Sequence, residues 1–397
     1  MSSKVYISGY GIVSALGVGL SENLQTLRAC RSGIGIPQYL ETRHQLPVGE
    51  VKISNKELLG LLRRNNKGMS RTALLGMLAA REAADMAGLS DAQLRECALI
   101  NGTSVGGMDI SELAYRDMQD GTEPEYETSF VGHDCGYSTE RIAEYLQLHG
   151  YCQTVSTACS SSANTIMNAG RLIKAGHADC VIAGGTDSLS LFTLNGFNAL
   201  KILDEHHCKP FDEHRKGLNL GEGAAFLVLE SAESVRKRGA KVLAELTGYG
   251  NTNDAYHQTA SSPEGKGAYS AMLKALKIAG LSPEKIDYVN VHGTGTANND
   301  ASESNALKKL FGDHVPPFST TKAYTGHTLG AAGAIEAVFS LLSIEHSTIF
   351  PALNISEPLD IIKPPVTTLK SSEINTALSN SFGFGGNCTS LIFSKHL

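Results

Sequence analysis

The chain has 397 residues, enough for two ordinary domains or one large duplicated unit with a substantial core. Hydrophobic residues make up 42% and charged residues 19%, a globular balance that excludes a disordered chain. A net charge of −6, from 34 basic and 40 acidic residues, argues against nucleic acid as the main partner, because phosphate backbones need a basic surface.

The N-terminus runs straight into a strand pattern at 4–10, without the basic and apolar regions of a signal peptide. Further strands are predicted near 97–101, 151–155, 179–185, 224–229, 243–249, 286–291, 376–380 and 388–394. Helices are predicted near 70–88, 138–148, 159–175, 265–279, 302–311 and 328–345. That alternation is the signature of α/β layering. No run approaches the roughly 18 apolar residues of a membrane span. The eight cysteines form no Cys-x-x-Cys pair, which predicts reduced thiols in a cytoplasmic protein, with no disulfide framework and no metal site. His206-His207-Cys208 reads as a loop, since adjacent residues point apart and no second ligand pair accompanies it. Charge and glycine at Arg236-Lys-Arg-Gly239 suggest a seam between halves 1–240 and 241–397. A faint repeat supports it: Val155-Ser-Thr leads to Cys159 and a Gly/Ala-bearing helix, and Phe318-Ser-Thr leads to Lys322, His327 and another.

Three distant segments each set a reactive group among small residues. Cys159 follows the strand near 151–155 and opens a helix, where unpaired N–H groups and the dipole favour a thiolate. His292 ends the apolar run from Ile286 to Val291 and is followed by Gly-Thr-Gly-Thr296. His327 precedes a helix rich in Gly and Ala. One soft nucleophile and two imidazoles fit acyl-thioester chemistry better than proteolysis.

These segments, taken with Val5-Tyr-Ile-Ser-Gly-Tyr-Gly-Ile-Val13, Ala183-Gly-Gly-Thr-Asp187, Pro210-Phe-Asp212, Gly221-Glu-Gly223, Asp254-Ala-Tyr-His257 and Asn380-Ser-Phe-Gly-Phe-Gly-Gly386, resemble a β-ketoacyl-(acyl-carrier-protein) synthase nearly end to end. The resemblance implies an α/β, thiolase-like five-layer αβαβα fold built from two βαβαβαββ halves. It implies acyl transfer to Cys159, then decarboxylative condensation with a malonyl thioester on acyl carrier protein, with no separate cofactor. His292 and His327 would stabilise the enolate, and the backbone N–H groups of Cys159 and Phe384 would hold the second oxyanion. Lys322 and Glu303 would form a charged pair bordering the site. Thr294 and Thr296 would contact the phosphopantetheine arm, while Phe384 and Val105 would gate the acyl pocket. Arg63, Arg64, Lys67 and Arg71 would dock the carrier, and the enzyme would be a homodimer or a heterodimer with a paralogue.

The chain departs from the family pattern in places. It lacks the proline after Thr296, has Arg215-Lys-Gly217 for Arg-Asp-Gly, has Asn387-Cys388 for Thr-Asn, and is polar at Gly132-His-Asp-Cys-Gly136. None of these removes a reactive group, and together they favour a specialised polyketide or polyene pathway over housekeeping elongation. Two alternatives stand beside this reading. A non-catalytic partner subunit would typically have lost the nucleophile. A thiolase would use a second cysteine where this chain has Lys322 followed by His327.

Overall fold

The computed structural model describes residues 4–65, 68–122 and 130–396. The first strand, β1 (Val5–Ser14), is buried along almost its whole length, so both of its faces must be covered. One cover is the helix α1 (Arg71–Ala87), started by the Ser70 hydroxyl accepting from Ala73 N and stopped by left-handed Gly88. Helix and strand lie almost in backbone contact. A Cβ at Gly9 would stand 2.3 Å from Ala83 O, and one at Gly11 would stand 2.2 Å from Ala79 O.

The N-terminal half continues with β2 (Ala98–Gly102), α2 (Cys135–Leu146), β3 (Cys152–Val155), α3 (Ser161–Lys174), β4 (Cys180–Asp187) and β5 (Gly223–Ser231). The C-terminal half repeats the series as β6 (Ala244–Asn253), α4 (Lys266–Ala279), β7 (Tyr288–Asn290), α5 (Ala297–Phe311), β8 (Phe318–Ser319), α6 (Ala332–His346), β9 (Thr376–Phe382) and β10 (Asn387–Ser394). Strand pairing repeats too. Outward from β1 the order β5, β4, β2, β3 runs antiparallel, antiparallel, parallel, parallel. Outward from β6 the order β10, β9, β7, β8 has the same senses. The halves join where Tyr6 and Ile7 of β1 pair with Glu245 and Ala244 of β6. Even the close approach recurs, since Cβ atoms at Gly248 and Gly250 would strike Ala275 O and Ala271 O of α4.

Three apolar clusters fill the space between five layers. Leu74, Ala83, Ile142, Phe226 and Val228 pack α1 and α2 against the first sheet. Ile166, Val181, Ile335, Phe339 and Phe393 fill the middle, where α3 and α6 lie between the sheets. Met272, Ala275, Leu307 and Ile392 pack α4 and α5 on the outer face of the second sheet. This is the αβαβα arrangement. The stretch Leu329–His346 is long and apolar enough to cross a membrane, with mean hydropathy 1.2, contrary to the expectation that no run comes near that length. It is 89% buried between the two sheets, and its apolarity answers to that position.

All nine predicted strands and six predicted helices occur, with shifted ends. The helix predicted near 302–311 begins earlier, at Ala297, because the Thr296 hydroxyl caps it. The Arg236–Gly239 segment is the end of a short helix, Ala232–Arg238, stopped by left-handed Gly239. Helices at Leu20–Arg28, Asn55–Leu61, Met108–Gln119 and Leu191–Ala199 were not expected from the pattern.

Candidate active site

Cys159 lies in the tight turn between β3 and α3, two residues before the helix begins. Ala158, just before it, has φ 52°. The turn is held by Thr157 N donating to Ser161 Oγ at 2.9 Å and Ser161 Oγ donating to Ala158 O at 2.6 Å. From the other half, Asn387 Oδ1 accepts from Ser160 Oγ at 2.8 Å and from Asn164 Nδ2 at 2.9 Å. Asn387, one of the departures from the family pattern, thus ties the start of α3 to β10. The Phe384 N–H bonds to the thiol of Cys159.

The expected low thiol pKa does not emerge. Burial pushes Cys159 up to about 11, the Phe384 N–H and the charge of Lys322 pull it down, and Asp187 pushes it up. Desolvation outweighs the helix terminus, since Cys159 is only 5% exposed.

His292 follows β7 in a turn whose next residue, Gly293, has φ 41°. Glu303 of α5 holds that turn, accepting from His292 N and Gly293 N, both at 2.9 Å. Asn380 Nδ2 also donates to Glu303, at 3.1 Å. Burial pushes Glu303 up to about 7 against these bonds.

The expected Lys322–Glu303 pair is therefore not formed. Lys322 opens a short helix, Lys322–Thr325, that directs it toward α6, where its ammonium pairs with Glu336. The same nitrogen donates to His292 O at 2.5 Å and lies 3.2 Å from His292 Nδ1. An ammonium has no lone pair, so Nδ1 accepts and the ring proton sits on Nε2. Glu336 had a visible signal, as a carboxylate inside the apolar run of its helix, nine residues before Glu345 at the helix end.

His327 is pinned through its backbone, its N donating to Asn219 O at 2.7 Å and its O accepting from Gly221 N at 2.9 Å. Its ring stands edge-on to that of His292, with centroids 5.4 Å apart and planes at 87°. Burial, reinforced by Lys322, holds both imidazoles well below the usual histidine range, so both are neutral at pH 7.

Cys159, His292 and His327 line one cavity of about 210 Å³, together with Thr294, Thr296 and Phe384. The two threonine hydroxyls lie 2.9 Å apart, and Thr294 N donates to Asp300 of α5 at 3.0 Å. Phe384 stacks on Phe197 with centroids 5.8 Å apart. Phe197 comes from an unpredicted helix, so the pattern carried no sign of it. Val105 is not on this wall; it packs behind, against a cluster containing Leu189, Leu220, Leu329 and Leu218. Leu218 also faces the cavity. The polar 132–136 segment serves as a cap, with Asp134 accepting from Gly136 N at 2.6 Å to start α2.

Of the basic residues assigned to carrier docking, Arg63 and Arg64 are exposed, and Arg64 lies over the Tyr145 ring at 5.4 Å. Lys67 lies outside the described residues. Arg71 is no surface charge. Its guanidinium is buried against Glu222 at 2.7 Å, and it donates to Val51 O at 2.9 Å and Ile53 O at 3.0 Å. As the first residue of α1, it points inward to organise the loops beneath that helix. In the segment His206-His207-Cys208, Cys208 is buried beside Lys322 O, while the His206 side chain is 82% exposed, so the two diverge.

The profile described as Beta-ketoacyl synthase, N-terminal domain, matches residues 2–234, and that of the C-terminal domain matches residues 243–356. The chain is 35% identical over 412 residues to 3-oxoacyl-[acyl-carrier-protein] synthase 2 of Staphylococcus aureus strain N315, covering 99% of each. Among solved structures it is similar to the ishigamide ketosynthase/chain length factor, with a TM-score of 0.94 and 31% identity across the whole of both chains. It is also similar to the AntDE ketosynthase in complex with its acyl-carrier protein, AntF, with a TM-score of 0.89 and 28% identity over both full lengths. With matching domains along both halves, the duplicated five-layer fold and a thiol sharing one cavity with two neutral imidazoles, the chain belongs to the β-ketoacyl-(acyl-carrier-protein) synthase family of cysteine-dependent condensing enzymes.

Proposed function

We propose that Cys159 accepts the acyl group and that His292 and His327 drive the decarboxylative step. The observation carrying this reading is the single cavity in which the thiol meets two imidazoles that burial keeps neutral. With the thiol near 11, only about one part in ten thousand is thiolate at pH 7. The proton therefore leaves Sγ as the acyl carbonyl is attacked, and a neutral imidazole in the cavity can accept it. Sγ forms the new thioester and the carrier thiol departs. The malonyl carrier thioester then loses carbon dioxide, and its enolate oxygen is met by the His292 Nε2–H and by the His327 ring. The enolate carbon attacks the acyl–Cys159 carbonyl, whose oxygen charge is held by the N–H groups of Cys159 and Phe384. Collapse expels Sγ and yields a 3-oxoacyl thioester.

In this reading Glu303 is a positioning group for the His292 turn, and Lys322 fixes the His292 tautomer. The division at 1–240 and 241–397 gives the nucleophile to one half and both histidines to the other. Acyl carrier protein is the partner, docking at Arg63, Arg64 and Lys67 and threading its arm past Thr294 and Thr296. The enzyme works as a homodimer or with a paralogue, and the likeness to a ketosynthase/chain length factor supports the second. Likeness to that protein and to AntDE supports a specialised polyketide or polyene product. Incubation with acyl- and malonyl-carrier protein, read by product mass, tests the reaction. A 3-oxoacyl product two carbons longer, with one carbon dioxide released, is expected. Acyl adducts without condensation would point instead to a chain-length-determining partner.

A further inference from the structure

Asp187 closes β4 in a fully buried position, and its carboxylate is gripped by hydrogen-bond donors. Thr103 Oγ1 donates to Oδ1 at 2.5 Å, Ser104 N at 3.0 Å and Val105 N at 3.2 Å. Ser104 Oγ donates to Oδ2 at 2.7 Å. These donors all belong to the turn that follows β2. The fifth, Gly330 N, reaches Oδ2 at 2.6 Å from the other half of the molecule.

Gly330 stands three residues after His327 and next to Leu329, whose φ of 52° is rarely adopted by a leucine. The contact leaves no slack. A Cβ on Gly330 would sit 2.8 Å from Asp187 Oδ2 and 2.9 Å from Ser104 Oγ. One carboxylate thus clamps the Val105 turn to the turn that carries His327.

We propose that Asp187 is a positioning residue that sets the turn carrying His327 against the Val105 turn packed behind the cavity wall, and so couples decarboxylation to the seating of the chain. The inference rests on the role given above to His327 and on the packing of Val105 behind the cavity wall, against the cluster that includes Leu218. Its carboxylate also opposes ionisation of Cys159. Removing the charge should therefore ease thiol ionisation while loosening the histidine, two effects of opposite sign.

Asp187→Asn keeps the shape but turns one acceptor into a donor that faces other donors. Carbon dioxide release from malonyl-carrier protein is expected to fall on the order of tenfold or more, as a charged acceptor is lost from buried N–H groups. The pH profile for alkylation of Cys159 by iodoacetamide should move to lower pH, and the product chain-length distribution should shift. Gly330→Ala strains the same contact from the other half and keeps the charge. Decarboxylation should fall there too, with the alkylation profile unmoved. Equal loss of alkylation and decarboxylation in Asp187→Asn, or unchanged decarboxylation in both variants, would overturn the proposal. If Asp187→Asn does not fold, Gly330→Ala decides by its decarboxylation rate. Failure of the underlying site reading is seen separately, as an acyl adduct that persists on Cys159→Ala.

Discussion

The Lys322–Glu336 pair offers the sharpest test of the site's electrostatics. Its side chains are 2% and 3% exposed, so neither charge can turn to water if the other is removed. Removing one partner of such a pair costs about 3–5 kcal/mol, because the survivor stays buried and unpaired. At ~2.1 cal/mol/K per residue, 397 residues unfold with roughly 0.8 kcal/mol/K, so each single change should lower Tm by about 4–6 °C. Lys322→Met and Glu336→Leu are the single variants. The double variant removes both charges of the pair and leaves His292 O without its donor, a cost of about 1–3 kcal/mol, while His292 Nδ1, which loses the same donor, is free to change tautomer. It should melt about 1–4 °C below the parent, well short of the roughly 8–12 °C that additivity demands. Scanning calorimetry of the four proteins measures this. Activity should not recover with stability. Without Lys322 nothing holds the His292 tautomer, so the double variant should load acyl groups yet decarboxylate malonyl-carrier protein poorly. An additive double variant, or one that regains full decarboxylation, would refute the reasoning.

Cys159→Ala should abolish acyl loading while the fold persists, because little volume is lost; intact-protein mass after exposure to acyl-carrier protein reads the result, and a surviving adduct would name another cysteine. His292→Ala and His327→Ala should each slow carbon dioxide release by on the order of 10²–10³, as for a lost oxyanion donor, while acyl loading persists. Labelled malonyl-carrier protein measures it, and full release in both variants would remove the histidines from the mechanism. Arg63→Glu/Arg64→Glu should raise KM for carrier-linked substrate while sparing small pantetheine thioesters, because rim charges steer encounter more than chemistry. The effect should shrink with salt as the screening length falls below about 8 Å, and equal loss with both substrates would end the docking assignment.

Much of the architecture could be read from local pattern, because strand and helix periodicity, turn glycines and caps act over a few residues. The duplication was fainter in the sequence than in the sheet. Beyond the Val155-Ser-Thr and Phe318-Ser-Thr repeat, a match the pattern did not reveal, Ser8-Gly9-Tyr10-Gly11 with Thr247-Gly248-Tyr249-Gly250, becomes meaningful only once both glycine pairs are seen to admit a helix backbone. Cys159, His292 and His327 stood out because reactive side chains set among small residues leave a local mark.

What tertiary structure alone decided were partnerships and solvation. The family resemblance implied a pair of Lys322 with Glu303, but the turn of a short helix sends that lysine to Glu336 and leaves Glu303 to hold the His292 backbone. Arg71 read as surface charge until α1 turned it inward onto Glu222. The helix terminus argued for an acidic thiol at Cys159, and burial reversed the sign. Each outcome depends on which distant groups approach within a few ångströms and whether water is excluded there. Those quantities belong to the packed layers, not to any one stretch of chain.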